Sequence, residues 1–317
     1  MRAVFLDYET VANEDLDASV LTDVMPGLQF YASTDEAAVA GRIADAEIVL
    51  LNKFVLTRDH LLAAQHLKLI ALAATGTDNV DLGTARDRSI GVCNVRGYCT
   101  QSVMQQVWAM ILGLTQHVHE YSGLAKDGSW VENEVSTVLK LPIRELSGLT
   151  FGVVGWGELG RAAARAAEAF GMRVIIANRP GAERESGRFD LDSLLAASDV
   201  VSLHCPLTPA TQGLIGAREL ALMKPDALLI NTARGGLIDG HALSAALKAG
   251  RLGGAGIDVL PQEPPTDGDP LLDPEIPNLL LTPHVAWAAR EARQRCLDEI
   301  AANVRDFLNG GRRARVV

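Results

Sequence analysis

No apolar run in the sequence approaches the roughly 18 residues that suggest a membrane span. The opening MRAVFLDYET meets charge at Asp7 and Glu9 before the apolar core of a leader develops, so a cytoplasmic location is expected. Basic residues are in deficit. Lys and Arg number 29 against 39 Asp and Glu, a net charge of -10 that repels phosphate backbones and anionic lipid. Neither nucleic acid nor a membrane surface is therefore expected as a partner, and a small molecule is. The four cysteines, Cys93, Cys99, Cys205 and Cys296, lack the CxxC or Cys/His spacing that zinc uses, and no metal site is expected. A Cys93–Cys99 disulfide would need an oxidising compartment that nothing else implies. Internal repeats of short period and low-complexity tracts are also missing. One further absence is local: the apolar run RVIIA (173–177) ends in Asn178, Arg179 and Pro180, with no acid.

What is present is apolar and ordered. A chain of 317 residues, 48% hydrophobic and 21% charged, has room for two domains with separate cores. Apolar β-type runs alternate with Ala/Leu/Glu/Arg-rich stretches, the pattern of parallel sheets with crossover helices, so the class is α/β. Strands are expected at Ala3 to Leu6, Glu47 to Leu51, Leu69 to Ala73 and Gly91 to Asn94, forming one open sheet. Ser102 to Tyr121 reads as one long helix, and KDGSWVENEVSTVLKLPIREL after it as an extended arm. A second sheet begins at Leu149, with LTFGVVG, RVIIAN, DVVSLH, ALLIN, GAGIDV and LLLTP as strands buried on both faces. The tail, Arg290 to Leu308, is an amphipathic helix expected to return to the first domain.

Gly155, Gly157 and Gly160 form G-x-G-x-x-G directly after a buried-strand pattern and at the opening of an Ala-rich helix. That context turns a weak motif into a dinucleotide fingerprint. The first glycine permits the turn, the second lets a pyrophosphate approach the backbone, and the third packs helix on strand. The helix N-terminus adds free N–H groups and partial positive charge for the phosphates.

In open α/β sheets, ligands sit beyond the carboxyl ends of the strands. Three ionisable residues are delivered there: Arg234 after ALLIN, Glu263 after GAGIDV and His284 after LLLTP. Their chemistry fits hydride transfer to a 2-oxo acid. A guanidinium fork holds the carboxylate and polarises the ketone, an imidazole donates the proton that the oxygen needs, and a carboxylate orients that imidazole. Taken singly, the three suit a surface ion pair, a solvated loop acid and a satisfied core histidine. Their joint arrival behind a dinucleotide turn favours the chemical reading. Pro261, Pro264 and Pro265 stiffen the loop that carries the acid.

Six stretches then appear in a telling order: ATGTDNVDL (74–82), GVVGWGELG (152–160), LHCPLTPAT (203–211), MKPDALLINTARGGLID (223–239), GAGIDVLPQEPP (254–265) and TPHVAW (282–287). With them the sequence resembles the D-isomer-specific 2-hydroxyacid dehydrogenases over essentially its full length. The resemblance implies two doubly wound parallel-sheet domains: a Rossmann cofactor domain, 99–286, inserted in a flavodoxin-like substrate domain, 1–98 and 287–317. It implies Arg234, Glu263 and His284 as the catalytic set, with Asp258 near the nicotinamide. Trp156, Glu158, Leu159, His204, Cys205 and Pro206 join the three glycines as cofactor residues, together with Thr211, Thr232, Ala233 and His284. Ala74, Thr75 and Gly76 are implied to grip the substrate carboxylate alongside Arg234 and His284. The long helix and arm are implied to make a homodimer, and a hinge to close over the substrate.

Departures narrow the expectation. Gln105 stands where many members carry Glu, which puts any interaction of that acid in doubt. Glu263 replaces the Gln of related formate dehydrogenases, so formate oxidation is disfavoured, and the missing regulatory extension disfavours a phosphorylated substrate. NKF (52–54) and HVAWAAREARQR (284–295) are most similar to bacterial glycerate dehydrogenases, also called hydroxypyruvate reductases. Lys53 and Trp287 then line the substrate pocket, with Arg290 as an outer charge; equally open are a solvated Lys53 and a Trp287 packed at the hinge. Reduction of hydroxypyruvate or glyoxylate to the D-2-hydroxy acid is the expected activity. A lactate-like or phosphite specificity, and a nucleotide-sensing corepressor-like protein, are the alternatives.

The missing acid after RVIIA now has a meaning. An acid about 20 residues beyond the glycine turn bonds the ribose hydroxyls of NAD and repels a 2′-phosphate. Asn178 removes that repulsion, and Arg179 offers positive charge to the phosphate. NADP is expected in preference to NAD; the alternative is a solvated Arg179 with NAD bound unaided by an acid.

Overall fold

The computed structural model describes residues 1–132, 134–179 and 185–317. Pro180, which follows Arg179 in the motif read above, lies outside them. The chain divides into two compact units: Met1–Cys99 with Trp287–Val317 as unit 1, and Thr100–Ala286 as unit 2. Each unit is built on a parallel sheet.

Unit 1 has strands β1 (Ala3–Phe5), β2 (Gln29–Phe30), β3 (Ile48–Leu51), β4 (Leu69–Leu72) and β5 (Gly91–Cys93) in the order β2-β1-β3-β4-β5. This is the flavodoxin-like order, with its switch point between β1 and β3. Helices α1 (Ser19–Thr22), α2 (Glu36–Ile43), α3 (Arg58–Ala63) and α4 (Leu82–Asp87) lie between the strands. Successive strand residues point to opposite faces, and both faces are covered. Ala3, Phe5, Leu50, Leu69 and Cys93 face one core with Cys296, Leu297, Ile300 and Val304 of the last helix, α11 (Arg290–Leu308). Val4, Val49, Leu51, Ile70 and Val92 face the other with Val39, Ile43 and Leu61. Asp35, Thr57 and Asp81 start α2, α3 and α4 by accepting the backbone N–H three residues on.

In unit 2 the expected long helix is two: α5 (Thr100–Gln116) and α6 (Val118–Lys126). His117, at φ 49°, breaks them in the left-handed region, with its N–H still bonded to the Gly113 carbonyl at 2.9 Å. The six strands are β6 (Thr150–Val154), β7 (Arg173–Ile176), β8 (Val200–Leu203), β9 (Leu228–Asn231), β10 (Gly254–Ile257) and β11 (Leu279–Leu281). Their order is β11-β10-β9-β8-β6-β7, all parallel. The winding reverses between β6 and β8, and the first half contributes two strands rather than the three of the full dinucleotide-binding order. Helices α7 (Glu158–Ala169), α8 (Leu191–Ala197), α9 (Ala217–Leu222) and α10 (Gly240–Lys248) complete the unit, and α5 packs on β9, β10 and α7.

The amino edge of this sheet is tied by one buried acid just before β8. Asp199 accepts the Thr150 N–H at 2.8 Å, Arg144 at 2.8 Å and Lys224 at 3.0 Å. Burial pushes its pKa up, but these donors outweigh burial and hold it below the usual carboxylate value. Arg144 belongs to the arm, so the same ion pair fastens that segment to the sheet. Asp199→Ala is expected to cost about 2–3 kcal/mol, because it strips a buried N–H and Lys224 of their acceptor and leaves Arg144 with Asp226 alone. Thermal and denaturant unfolding will measure the loss.

Candidate active site

All candidate residues of unit 2 lie at one edge. Gly155 follows β6, Asn178 β7, His204 β8, Thr232 and Arg234 β9, Asp258 and Glu263 β10, and His284 β11. Because the strands are parallel, these are the carboxyl ends of six neighbours, spaced by ~4.8 Å each.

The glycine turn is shaped by contact. A Cβ on Gly160 would lie 2.0 Å from the Gly155 carbonyl oxygen, so helix and turn close only on glycine. Gly155 has φ +106° and abuts the backbone of His204 and Cys205. Gly157 differs: a Cβ there meets nothing within 4 Å. The protein's own packing does not require glycine at that position, at the N-terminus of α7, whereas an approaching pyrophosphate does. Two buried polar atoms on the neighbouring strand ends, His204 Nδ1 and Thr232 Oγ1, have no partner among the described residues. Both observations fit a polar ligand laid across this edge.

At the end of β7, Asn178 donates its N–H to the Phe189 carbonyl at 2.6 Å and accepts the Glu185 N–H on Oδ1 at 3.3 Å. Asn178 thus ties Glu185 and Phe189 to the end of β7. Arg179 is exposed. Arg188, which the motif did not point to, has its guanidinium 5.9 Å from the centre of the Trp156 ring and pairs with Glu185 at 3.3 Å. Cys205 is buried, and Thr211 fixes the following turn by accepting the Thr208 N–H at 2.8 Å and donating to the Pro206 carbonyl at 2.7 Å.

The turn that carries Arg234 is built by Asn231, a second residue not singled out for the site from the sequence. Its side chain donates to the Arg234 carbonyl at 2.9 Å and accepts the Ala233 N–H at 3.0 Å. A Cβ on the next residue, Gly235, would sit 2.0 Å from the Leu260 carbonyl carbon. Glycine there brings the Leu260–Glu263 loop against the Arg234 turn. Glu263 accepts the Leu260 N–H on Oε1 at 2.9 Å and presents Oε2 to His284 Nδ1 in a short contact. Both side chains keep about a quarter to a third of their surface exposed, at 26% for His284 and 31% for Glu263.

His284 has φ +55°, unusual for a residue with a Cβ. Asp258 secures it there. Its backbone carbonyl accepts the His284 N–H at 2.8 Å, and its carboxylate takes the Thr282 hydroxyl at 2.5 Å and the Val285 and Ala286 N–H groups at 2.9 Å each. From α5, Ser102 donates to the Ala286 carbonyl at 2.6 Å and Gln106 to Thr282 at 3.2 Å. Gln105 is exposed.

In unit 1, Lys53 is exposed after β3, and Ala74–Gly76 follow β4. Thr75 is held by its hydroxyl on the Val95 carbonyl and by Asn94 on its own carbonyl, both at 2.7 Å. Trp287 is partly buried, edge-on to Tyr98 with ring centres 6.5 Å apart, and Arg290 donates to the Asp15 carbonyl at 2.8 Å. Among the described residues no cluster of three His, Cys, Asp or Glu could hold a metal, and no helix is long and apolar enough to cross a membrane.

Residues 108–286 match the family described as D-isomer specific 2-hydroxyacid dehydrogenase, NAD binding domain. The chain is 42% identical to a glycerate dehydrogenase of Methylorubrum extorquens, covering 98% of this chain and 96% of that protein. The chain belongs to the D-isomer specific 2-hydroxyacid dehydrogenases. A hydroxypyruvate reductase of Blautia hydrogenotrophica is 36% identical over 98% of both chains. Among solved structures, the acyclic imino acid reductase Bsp5 in complex with NADPH and D-Arg superposes with a TM-score of 0.87 at 27% identity, covering both chains fully. In this dehydrogenase the glycine turn and the strand ends of unit 2 described above fall within the matched NAD-binding segment.

Burial pushes the His204 imidazole down to about 4. A base whose folded pKa lies below its unfolded value of about 6.5 is protonated first in the unfolded chain, so stability holds above that value and falls as pH drops toward 4. The loss approaches ~1.4 kcal/mol per pH unit across this window. His204→Gln is expected to flatten that part of the stability profile, measured by urea unfolding at stepped pH.

Proposed function

We propose that this chain reduces a small 2-oxo acid, hydroxypyruvate or glyoxylate, to the D-2-hydroxy acid, using NADPH in preference to NADH, and catalyses the reverse oxidation. The observation that carries the reading is the Glu263–His284 pair, set one strand and two strands along from Arg234 on the carboxyl edge. The names of the relatives, a glycerate dehydrogenase and a hydroxypyruvate reductase, support the substrate class.

In this reading unit 2 carries the chemistry. Gly155–Gly160 and the α7 N-terminus receive the pyrophosphate, and His204–Pro206, Thr211, Thr232 and Ala233 line the dinucleotide's path. Asp258 lies toward the nicotinamide. When bound, the reduced nicotinamide supplies the hydride. Arg234 holds the substrate carboxylate through its fork and polarises the ketone oxygen. Glu263 keeps the His284 Nδ1–H engaged, which fixes the tautomer and the orientation of the ring. His284 Nε2 would deliver a proton to the substrate oxygen as the C=O π pair moves onto it, the new C–H bond taking the pair of the arriving hydride. In the oxidative direction the same nitrogen takes it back.

Unit 1 is assigned to substrate recognition, through backbone donors of Ala74–Gly76, the Lys53 ammonium and Trp287. Asn178 and Arg179, in place of an acid, support NADP, and the NADPH bound by the imino acid reductase is compatible with it. A homodimer is supported by the apolar side chains between residues 118 and 143: Val118, Trp130, Val131, Leu139 and Ile143 are 52–87% exposed. A cytoplasmic setting suits a chain with only four cysteines, three of them buried.

His284→Ala is expected to reduce turnover at least ~100-fold while sparing NADPH affinity, since general acid catalysis is worth about that much. Retained turnover would refute the proton assignment. Glyoxylate, hydroxypyruvate, pyruvate and phenylpyruvate, each assayed by absorbance with NADPH and NADH, separate a reductase of this class from a lactate-like enzyme, and from a corepressor-like protein that turns over none of them. Arg179→Ala is expected to lower the NADPH-to-NADH preference by roughly tenfold, the worth of one charge-assisted phosphate contact. An unchanged ratio would refute the NADP assignment.

A further inference from the structure

Three consecutive residues at the switch point of unit 1 have their backbone held by side chains from two other segments. Asp7, 4% exposed at the end of β1, accepts the Asn52 N–H on Oδ1 at 2.9 Å and the Lys53 and Phe54 N–H groups on Oδ2 at 2.6 and 2.8 Å. From the opposite side Asn79 donates its amide to the Asn52 and Phe54 carbonyls, both at 3.0 Å. Asn52 in turn donates to the Thr10 hydroxyl at 3.0 Å, and Thr10 donates to the Asp7 carbonyl at 2.7 Å.

A crevice at such a switch point, lined by consecutive N–H groups, ordinarily receives an anionic ligand. Here the chain's own carboxylate takes those donors. A substrate anion must therefore be met by other groups, and the exposed side chain on this loop, Lys53, is the cation at hand. Asn79 lies in the same post-β4 segment as Ala74–Gly76, so it joins the two loops assigned to the substrate.

We propose that Asp7 and Asn79 are positioning residues that clamp the Asn52–Phe54 backbone and so aim Lys53 at the carboxylate of a 2-oxo acid. The inference rests on the reading of Lys53 as a substrate residue. With the loop fixed, only the Lys53 side chain has to adjust when the anion binds. Without the clamp, backbone freedom at three residues is lost on binding as well. The effect belongs in substrate affinity and not in the proton or hydride steps, which unit 2 performs.

Steady-state kinetics of the full chain with hydroxypyruvate and NADPH tests it. Asn79→Ala and Asp7→Asn are each expected to raise KM about five- to tenfold, the worth of about one buried hydrogen bond, with kcat within about twofold. NADPH affinity, followed by protein fluorescence, stays unchanged. Lys53→Met raises KM by itself, and Asn79→Ala added to Lys53→Met raises it no further. Two outcomes overturn the clamp while leaving Lys53 in place: wild-type KM in both single variants, or the same fold-rise from Asn79→Ala in the Lys53→Met background. A Lys53→Met variant with wild-type KM overturns the reading of Lys53 and the inference with it. Should Asp7→Asn fail to fold, Asn79→Ala, at a partly buried position, carries the test.

Discussion

A buried carboxylate that gathers consecutive backbone N–H groups is the interaction on which both units depend. Asp258 does this in unit 2 and Asp7 in unit 1. Each stands at the carboxyl end of a parallel strand, and each holds the loop after a strand in the same sheet. In water a carboxylate and an amide are both well solvated, and exchanging those contacts gains little. Inside the protein, a charge-assisted bond is stronger and its loss leaves two groups without partners. The loops carrying His284 and Lys53 are thereby fixed by bonds that cannot be given up singly.

The Asp258 case shows why such fixing is needed. His284 occupies a backbone conformation that a residue with a side chain adopts at a cost, and surrounding contacts must over-determine it. Asp258, Ser102 and Gln106 supply them, so the imidazole arrives at Glu263 from a braced position. Gly235 and Asn231 do the same for the acid's loop and for the Arg234 turn, one by removing a side chain and the other by bonding the backbone. The chemical groups sit on loops, but these loops have little freedom.

Much of this was legible in the sequence, for identifiable reasons. Strands covered on both faces read as unbroken apolar runs, which is why the residues of β3, β4, β6 and β8–β10 stood out; the edge strands β7 and β11, expected to be buried as well, are only partly so. β2 did not, being two residues long at a sheet edge with Gln29 exposed. The break at His117 was hidden because apolar and polar residues continue across it with no Gly, Asn or Pro to mark a left-handed turn. The strand-end placement of Arg234, Glu263 and His284 followed from parallel topology, where the carboxyl end of every strand reaches the same edge. Asp7, Asn79, Asn231 and Arg188 were not singled out for the site because a side chain bonded to backbone or stacked on a ring leaves no period or spacing behind. Asn231 alone had a signal, an amide closing an otherwise apolar strand.

The split of unit 1 has a consequence for biosynthesis. Its sheet is translated first, yet one of its two faces is covered by Cys296, Leu297, Ile300 and Val304 of α11, which are translated near the end. At ~5–20 residues per second the ribosome needs roughly ten to forty seconds to add the intervening segment. During that interval Phe5, Leu50 and Leu69 have Leu21, Met25 and Leu28 beside them but lack the cover that α11 supplies, while unit 2, contiguous in the chain, has all its strands by the time α11 is made. The nascent polypeptide thus completes its later-made half before its earlier-made one, and the newborn sheet is the stretch that a holdase would find.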